Sequence, residues 1–169
     1  NGATEISVSP SGKKVAFVMH SDVYVTSVEY RTTKRLTDTP EQERDICFAP
    51  DGRSVVYASE RGGVWQIYAT SIKDKDEKSF AYATELTEER LTNNNITSQM
   101  PKYSPDGKMV AYFEDRGDLR VIDVKSKDIT TVLEGKNNYS YSDGDLWFEW
   151  SPDSKWLMSS YMGGGGWNS

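Results

Sequence analysis

The chain has 169 residues, enough for the core of one ordinary domain. Its net charge of −6 excludes the clustered positive field that nucleic acid or an anionic membrane surface requires. No apolar run approaches the roughly 20 residues that span a bilayer, and the lone cysteine, Cys47, excludes an internal disulfide and a cysteine-rich zinc site.

The chain opens on Asn1-Gly2-Ala3-Thr4-Glu5, with no initiating Met, basic n-region or apolar h-region. A processed or trimmed chain carrying no signal peptide is expected. The first predicted strand is Glu5–Val8. Ser9-Pro10-Ser11-Gly12-Lys13 turns it into a second strand containing Val15 and Phe17. His20-Ser21 leads to a third, Asp22-Val23-Tyr24-Val25, and a fourth ends in Arg35-Leu36-Thr37. The same order then recurs: Ile46 and Phe48, Ala49-Pro50-Asp51-Gly52-Arg53, Val55 and Tyr57, Arg61-Gly62-Gly63, Trp65-Gln66-Ile67-Tyr68, Arg90-Leu91-Thr92. A third round has Tyr103, Ser104-Pro105-Asp106-Gly107-Lys108, Val110 and Tyr112, Arg116-Gly117, Leu119-Arg120-Val121-Ile122 and Thr131-Val132-Leu133. A fourth has only Leu146–Trp150, Ser151-Pro152-Asp153-Ser154-Lys155 and Trp156–Tyr161, then runs into Gly163–Gly166.

Each turn has a physical reason. Proline presets φ for the second position of a type I turn, Asp or Ser suits the third, and Gly follows where φ is positive. Pro10, Gly12, Pro50, Gly52, Pro105, Gly107 and Pro152 are therefore structural. Ser154 stands where the other rounds have Gly, and a slightly different turn is expected there. Apolar residues two apart on both sides of each turn mark two strands of period 2. The positions between them are also apolar (Ala16, Val56, Ala111, Met158), which predicts burial on both sheet faces.

Prolines 40, 55 and 47 residues apart, with four strands per round, predict an all-β partial β-propeller. It has three complete four-stranded antiparallel blades and half of a fourth. The blades span about 1–40, 41–95, 96–135 and 136–169, in a single domain. A ring needs at least about four blades, so a fragment of a longer ring is expected. The 55-residue spacing comes from an insertion, 73–82. It reads as a longer outer hairpin with a solvated tip, or as a docking arm anchored by Phe80 and Tyr82.

The chemistry-bearing residues are few. A Ser-His-Asp triad would have to use His20, the only histidine, whose position fits a turn. A Ser-Lys pair stays open, although every Ser near a Lys sits in a repeated turn. Asp143-Gly144-Asp145 has too few oxygens at set spacing for a calcium loop. The four glycines lack the Lys-Ser/Thr of a phosphate loop, and Asn95-Ile96-Thr97 and Asn138-Tyr139-Ser140 match a glycosylation triplet that is common by chance. No catalytic residue, metal site or cofactor is expected in the chain. The candidate peptide-contact residues are Tyr139, Tyr141, Asp143 and Asp145, in the longest loop leading into an innermost strand. There aromatics beside carboxylates could hold a peptide's N-terminus or basic side chains.

Tyr103-Ser104-Pro105-Asp106-Gly107-Lys108-Met109-Val110-Ala111-Tyr112 and Glu89-Arg90-Leu91-Thr92 resemble the TolB-type, WD-like propeller repeat along essentially the whole chain. Within that group, the stretch from Tyr139 to Asp153 and the stretch from Glu29 to Thr37 resemble bacterial relatives of tricorn protease. That resemblance implies the N-terminal propeller of a cytoplasmic serine peptidase, non-catalytic itself, gating or guiding peptide substrates. Its partners would be peptides or other parts of the parent protein. The alternatives are a periplasmic TolB-like interaction module of the cell envelope and the propeller of a prolyl-oligopeptidase-like hydrolase. The Gly-x-Ser-x-Gly elbow of the last does not occur here.

Overall fold

A computed structural model describes residues 2–115, 117–137 and 146–160. They form three four-stranded antiparallel sheets and one two-stranded sheet, each strand paired with its neighbour in sequence. The first sheet is β1 (Glu5–Val8), β2 (Lys14–Met19), β3 (Asp22–Ser27) and β4 (Thr33–Arg35). The second is β5 (Glu43–Phe48), β6 (Ser54–Ser59), β7 (Gln66–Ile72) and β8 (Leu86–Arg90). The third is β9 (Ser98–Tyr103), β10 (Met109–Glu114), β11 (Asp118–Asp123) and β12 (Ile129–Leu133). The last is β13 (Phe148–Trp150) paired with β14 (Leu157–Ser159). No α-helix occurs among the described residues, and none of their helical turns is long and apolar enough to cross a membrane. This is the all-β, partial β-propeller architecture that the repeat predicts.

The sheets stack face to face. β5 packs on β1, β2 and β3, and β9 packs on β5, β6 and β7, so each first strand lies across the preceding sheet. Alternation along the middle strands fills both faces. On β6, Val55 and Tyr57 join Ala16, Val18, Val23 and Val25 of the first sheet. Val56 and Ala58 join Tyr103, Val110, Tyr112 and Ile122 of the third. A further layer puts Phe113 and Leu119 against Leu146 and Phe148, the two phenyl rings meeting edge-on at 5.3 Å. Full burial of one such side chain stabilises by roughly 1.5–3 kcal/mol, so the layers between sheets dominate the packing.

The four proline turns close alike. The amides of Gly12, Gly52, Gly107 and Ser154 donate to the carbonyls of Ser9, Ala49, Ser104 and Ser151 at 2.8–2.9 Å. Ser154 does not alter the turn as expected. It adopts φ 60°, beside 70°, 67° and 73° for the three glycines. Its hydroxyl explains the tolerance, because Oγ accepts a hydrogen bond from the Asp106 amide of the previous turn at 3.0 Å. That bond offsets a left-handed cost of about 1–2 kcal/mol.

The insertion is neither a fully solvated tip nor a free arm. Phe80 is fully buried in the layer between the first two sheets, meeting Phe48 edge-on at 6.4 Å. Lys14 Nζ donates to the Lys78 carbonyl at 2.6 Å and Lys34 Nζ to the Ala83 carbonyl at 2.8 Å. The segment thus clamps the second sheet to the first. Tyr82, paired with Phe80 in the sequence reading, stays exposed.

Candidate functional site

The innermost strands carry a device that the repeat signature does not contain. The fifth residue before each repeat proline is Glu5, Asp45, Met100 or Trp147. β5 and β9 each slip register here, and the bulged residues Asp45 and Met100 take φ 57° and 55°. A bulge frees an amide from the ladder. The Asp45 amide donates to Glu5 Oε2 at 2.6 Å, and the Met100 amide donates to Asp45 Oδ2 at 2.9 Å. Each acid thereby caps the next blade. Met100 has no carboxylate to continue the series, and the Trp147 amide donates instead to Ser160 Oγ at 3.2 Å. Burial, then the Asp45 charge, pushes the Glu5 carboxyl up, against the pull of the amides it accepts.

On the mouth face, where innermost strands begin, a cavity of about 530 Å³ opens between the first two sheets. Its walls include Glu5, His20, Ser21, Glu43, Arg44 and Trp65. His20 and Ser21 form the two-residue turn between β2 and β3, with φ 51° and 72°, the left-handed pair that such a hairpin demands. Among the described residues no hydrogen bond joins His20 to a serine hydroxyl. The Arg44 guanidinium carbon lies over the Trp65 ring, 3.9 Å from its centroid, and Arg44 donates to Gln99 Oε1 at 2.9 Å, tying the second blade to the third.

Glu43 starts β5 and is 3% exposed. Its Oε1 accepts from Thr39 Oγ1 at 2.8 Å and from Ser59 Oγ at 3.0 Å, while Oε2 is buried without a partner among the described residues. The nearest cation, Arg61, is 3.8 Å from Oε1 and makes its short bonds, 2.6 and 2.7 Å, to Glu88. Burial pushes the Glu43 carboxyl up, and the Asp22 charge adds to it. Glu88 shows the reverse. Burial alone would raise it, but bonds from Arg61 and Tyr57 bring it below the usual carboxylate range.

A second cavity, about 340 Å³, lies beside the first, walled by Asp45, Cys47, Met100, Lys102 and Glu149. Lys102 Nζ pairs with Glu149 at 2.7 Å and donates to the Phe148 carbonyl at 3.0 Å. Burial pushes the Cys47 thiol up, which favours the unreactive form. No group of three or more metal-ligating side chains occurs among the described residues.

The residues singled out from sequence for peptide contact, Tyr139, Tyr141, Asp143 and Asp145, lie outside the described residues. The sequence reading missed Glu5, Glu43, Asp45, Arg44 and Trp65. The signal for two of them was present. Glu5 and Asp45 each stand five residues before a repeat proline, so the repeat register aligns them.

Comparison with known proteins agrees with this architecture. The TolB beta propeller domain matches residues 2–158. Dipeptidyl-peptidase 5 of Porphyromonas gingivalis is 31% identical over 120 residues, covering 66% of this chain and 16% of that protein. The Tol-Pal system protein TolB of Francisella tularensis is 23% identical over 145 residues, covering 79% of this chain and 31% of that protein. The chain thus spans less than a third of either relative. The crystal structure of TolB from Acinetobacter baumannii superposes with a TM-score of 0.69 at 19% identity, over 98% of this chain and 39% of that one, a likeness of fold. With the family's domain matched almost from end to end and the blades stacked as described, the chain belongs to the TolB beta propeller domain family.

Proposed function

We propose that this chain is a non-catalytic propeller segment that guides peptides to a peptidase elsewhere in its parent protein. The observation that carries the reading is the mouth-face cavity. Its lining includes an acid at Glu5 and an aromatic at Trp65, and among the described residues no hydrogen bond joins His20 to a serine hydroxyl. Carboxylates and aromatics suit the N-termini and basic or apolar side chains of peptides. The 31% identity to a dipeptidyl-peptidase supports a peptidase parent. A tricorn-type serine peptidase, with the cytoplasmic location it implies, is the finer form of this reading.

The match to a Tol-Pal system protein favours a second reading, a periplasmic module for protein–protein interaction in the cell envelope. The complete open reading frame separates the two. Peptidase sequence downstream supports the first; a leader upstream with no hydrolase supports the second. A peptide-cleavage assay of the 169-residue chain adds an independent check, because robust cleavage would overturn the non-catalytic claim in both.

A further inference from the structure

We propose that the outer edge of β12 binds an extended peptide, which adds to the third sheet as a fifth, antiparallel strand. The inference deepens the peptide-guiding reading, on which it rests for the choice of a peptide as occupant.

The first argument is the composition of the edge. Each four-stranded sheet ends on an outer strand, and a free strand edge is a template for pairing that proteins usually guard with charge. β4 carries Lys34 and Arg35, and β8 carries Glu88, Glu89 and Arg90. β12 reads Ile129-Thr130-Thr131-Val132-Leu133, with no charge, proline or glycine and with β-branched residues that favour strands. Ile129 is 42% exposed and Val132 51%. The third edge is thus apolar and unguarded where the other two are guarded.

The second argument is the direction of its hydrogen bonds. The Asp123 amide donates to the Asp128 carbonyl at 2.9 Å, where the ladder between β11 and β12 begins. Antiparallel ladders alternate between hydrogen-bonded and non-bonded pairs. Ile122 faces Ile129 and Val121 faces Thr130, so Thr130 turns its amide and carbonyl toward β11. Ile129 turns its own outward, and so does the amide of Thr131. Among the described residues no strand pairs with this side of β12. Outward groups two residues apart are what one extended partner strand satisfies.

The third argument is charge, which favours a peptide over a second copy of this chain. Asp128, at the head of the edge, accepts from Ser126 Oγ at 2.7 Å, and no cation pairs with it among the described residues. Two copies paired about Thr131 would set each Asp128 against the other copy's Glu134, and like charges directly opposite destabilise a strand pair. A peptide avoids that clash. The edge therefore fits an uncharged, β-branched segment with a Lys or Arg toward its C-terminal end, opposite Asp128.

The isotope-labelled protein is titrated with acetyl-Val-Thr-Val-Thr-Val-Lys amide while its amide chemical shifts are followed. A second peptide carries N-methyl groups on its third and fifth residues, whose amides would face β12. The expected result is saturable binding with the largest shifts at Ile129 and Thr131, weakened at least about tenfold by N-methylation and by Thr131→Pro. Proline at this position removes an outward amide and spares the bonds to β11, so the sheet persists. Equal binding of the N-methylated peptide, or largest shifts away from β12, overturns the edge site and leaves peptide guiding intact. No binding at millimolar concentration also overturns the edge site, and a mixture of random hexapeptides titrated in parallel then tests peptide guiding by itself. Dimerisation without peptide, abolished by Thr131→Pro, assigns the edge to a second copy and overturns the peptide site. Should Thr131→Pro fail to fold, judged by its thermal melt, the N-methylation comparison on the unaltered protein decides alone.

Discussion

The carboxylate of Glu5 accepts the backbone amide of Asp45 at 2.6 Å, across the junction between two blades. Asp45 repeats the contact one blade on, accepting the Met100 amide at 2.9 Å. Asp45 is thus both the site of a bulge and the cap of the next. Asp45 also sits at φ 57°, where Asp is tolerated better than most residues. Asp45→Ala combines a lost cap with a poorly tolerated φ and should destabilise by about 1–3 kcal/mol. Asp45→Gly loses the cap but accepts the φ, and should fall between alanine and wild type. Urea unfolding of the three proteins measures both terms. Glycine no better than alanine would mean that the backbone conformation contributes nothing.

Ser154 presents the same two terms with opposite signs. Its φ of 60° is costly, and its hydroxyl takes the Asp106 amide at 3.0 Å. Ser154→Gly relieves the first and loses the second, so it should lie within about 1 kcal/mol of wild type. Ser154→Ala keeps the cost and loses the bond, and should be the least stable, by about 1–2 kcal/mol. Thermal melts of the pair give the order, and alanine at least as stable as glycine would contradict the account.

The repeat was legible because its causes are local. Proline and glycine fix each turn through their own backbones, and alternating apolar residues fix which strands are buried. Val55 and Val56 face opposite layers, as unbroken apolar runs imply. What stayed hidden depends on neighbours brought together by stacking. Phe80 lies in a charged, insertion-like stretch, and only the packed first sheet gives it an apolar site. Glu43 and Arg44 are adjacent charged residues that only burial distinguishes. One is shut away at the base of a cavity, and the other is laid over Trp65. Ser154 was misread because its compensation comes from the turn 48 residues earlier.

Phe80 gives the sharpest contrast between two aromatics in one segment. It is fully buried among the residues joining the first two sheets, whereas Tyr82 is 64% exposed. Phe80→Ala should cost about 3–5 kcal/mol through lost burial and the cavity it leaves. It should also open the 73–85 segment to proteolysis, since Phe80 fastens that segment to the core. Tyr82→Ala should stay within about 0.5 kcal/mol and leave the digestion pattern unchanged. Equal sensitivity of the two would return the segment to a solvated tip or a docking arm.

Glu43 fixes the sign of one pH effect. Burial raises its carboxyl above the ordinary value of 4.5, so the folded protein holds that proton more tightly than the unfolded chain. The folded state then binds more protons, and stability from this group falls as pH rises from about 4.5 through the raised value, levelling above it. Glutamine does not titrate, so Glu43→Gln should gain on wild type across that window. Glu88 runs the other way. The bonds from Arg61 and Tyr57 overcome burial and lower its carboxyl, so its contribution is present above 4.5 and fades as pH falls through the lowered value. Glu88→Gln should therefore lose ground to wild type as pH rises from that lowered value to about 4.5, below the window in which Glu43 acts. Urea unfolding at intervals between about pH 3 and pH 8 reads both slopes. Parallel slopes for the two variants would mean that Arg61 serves both carboxylates equally, which its 2.6 Å and 3.8 Å separations argue against.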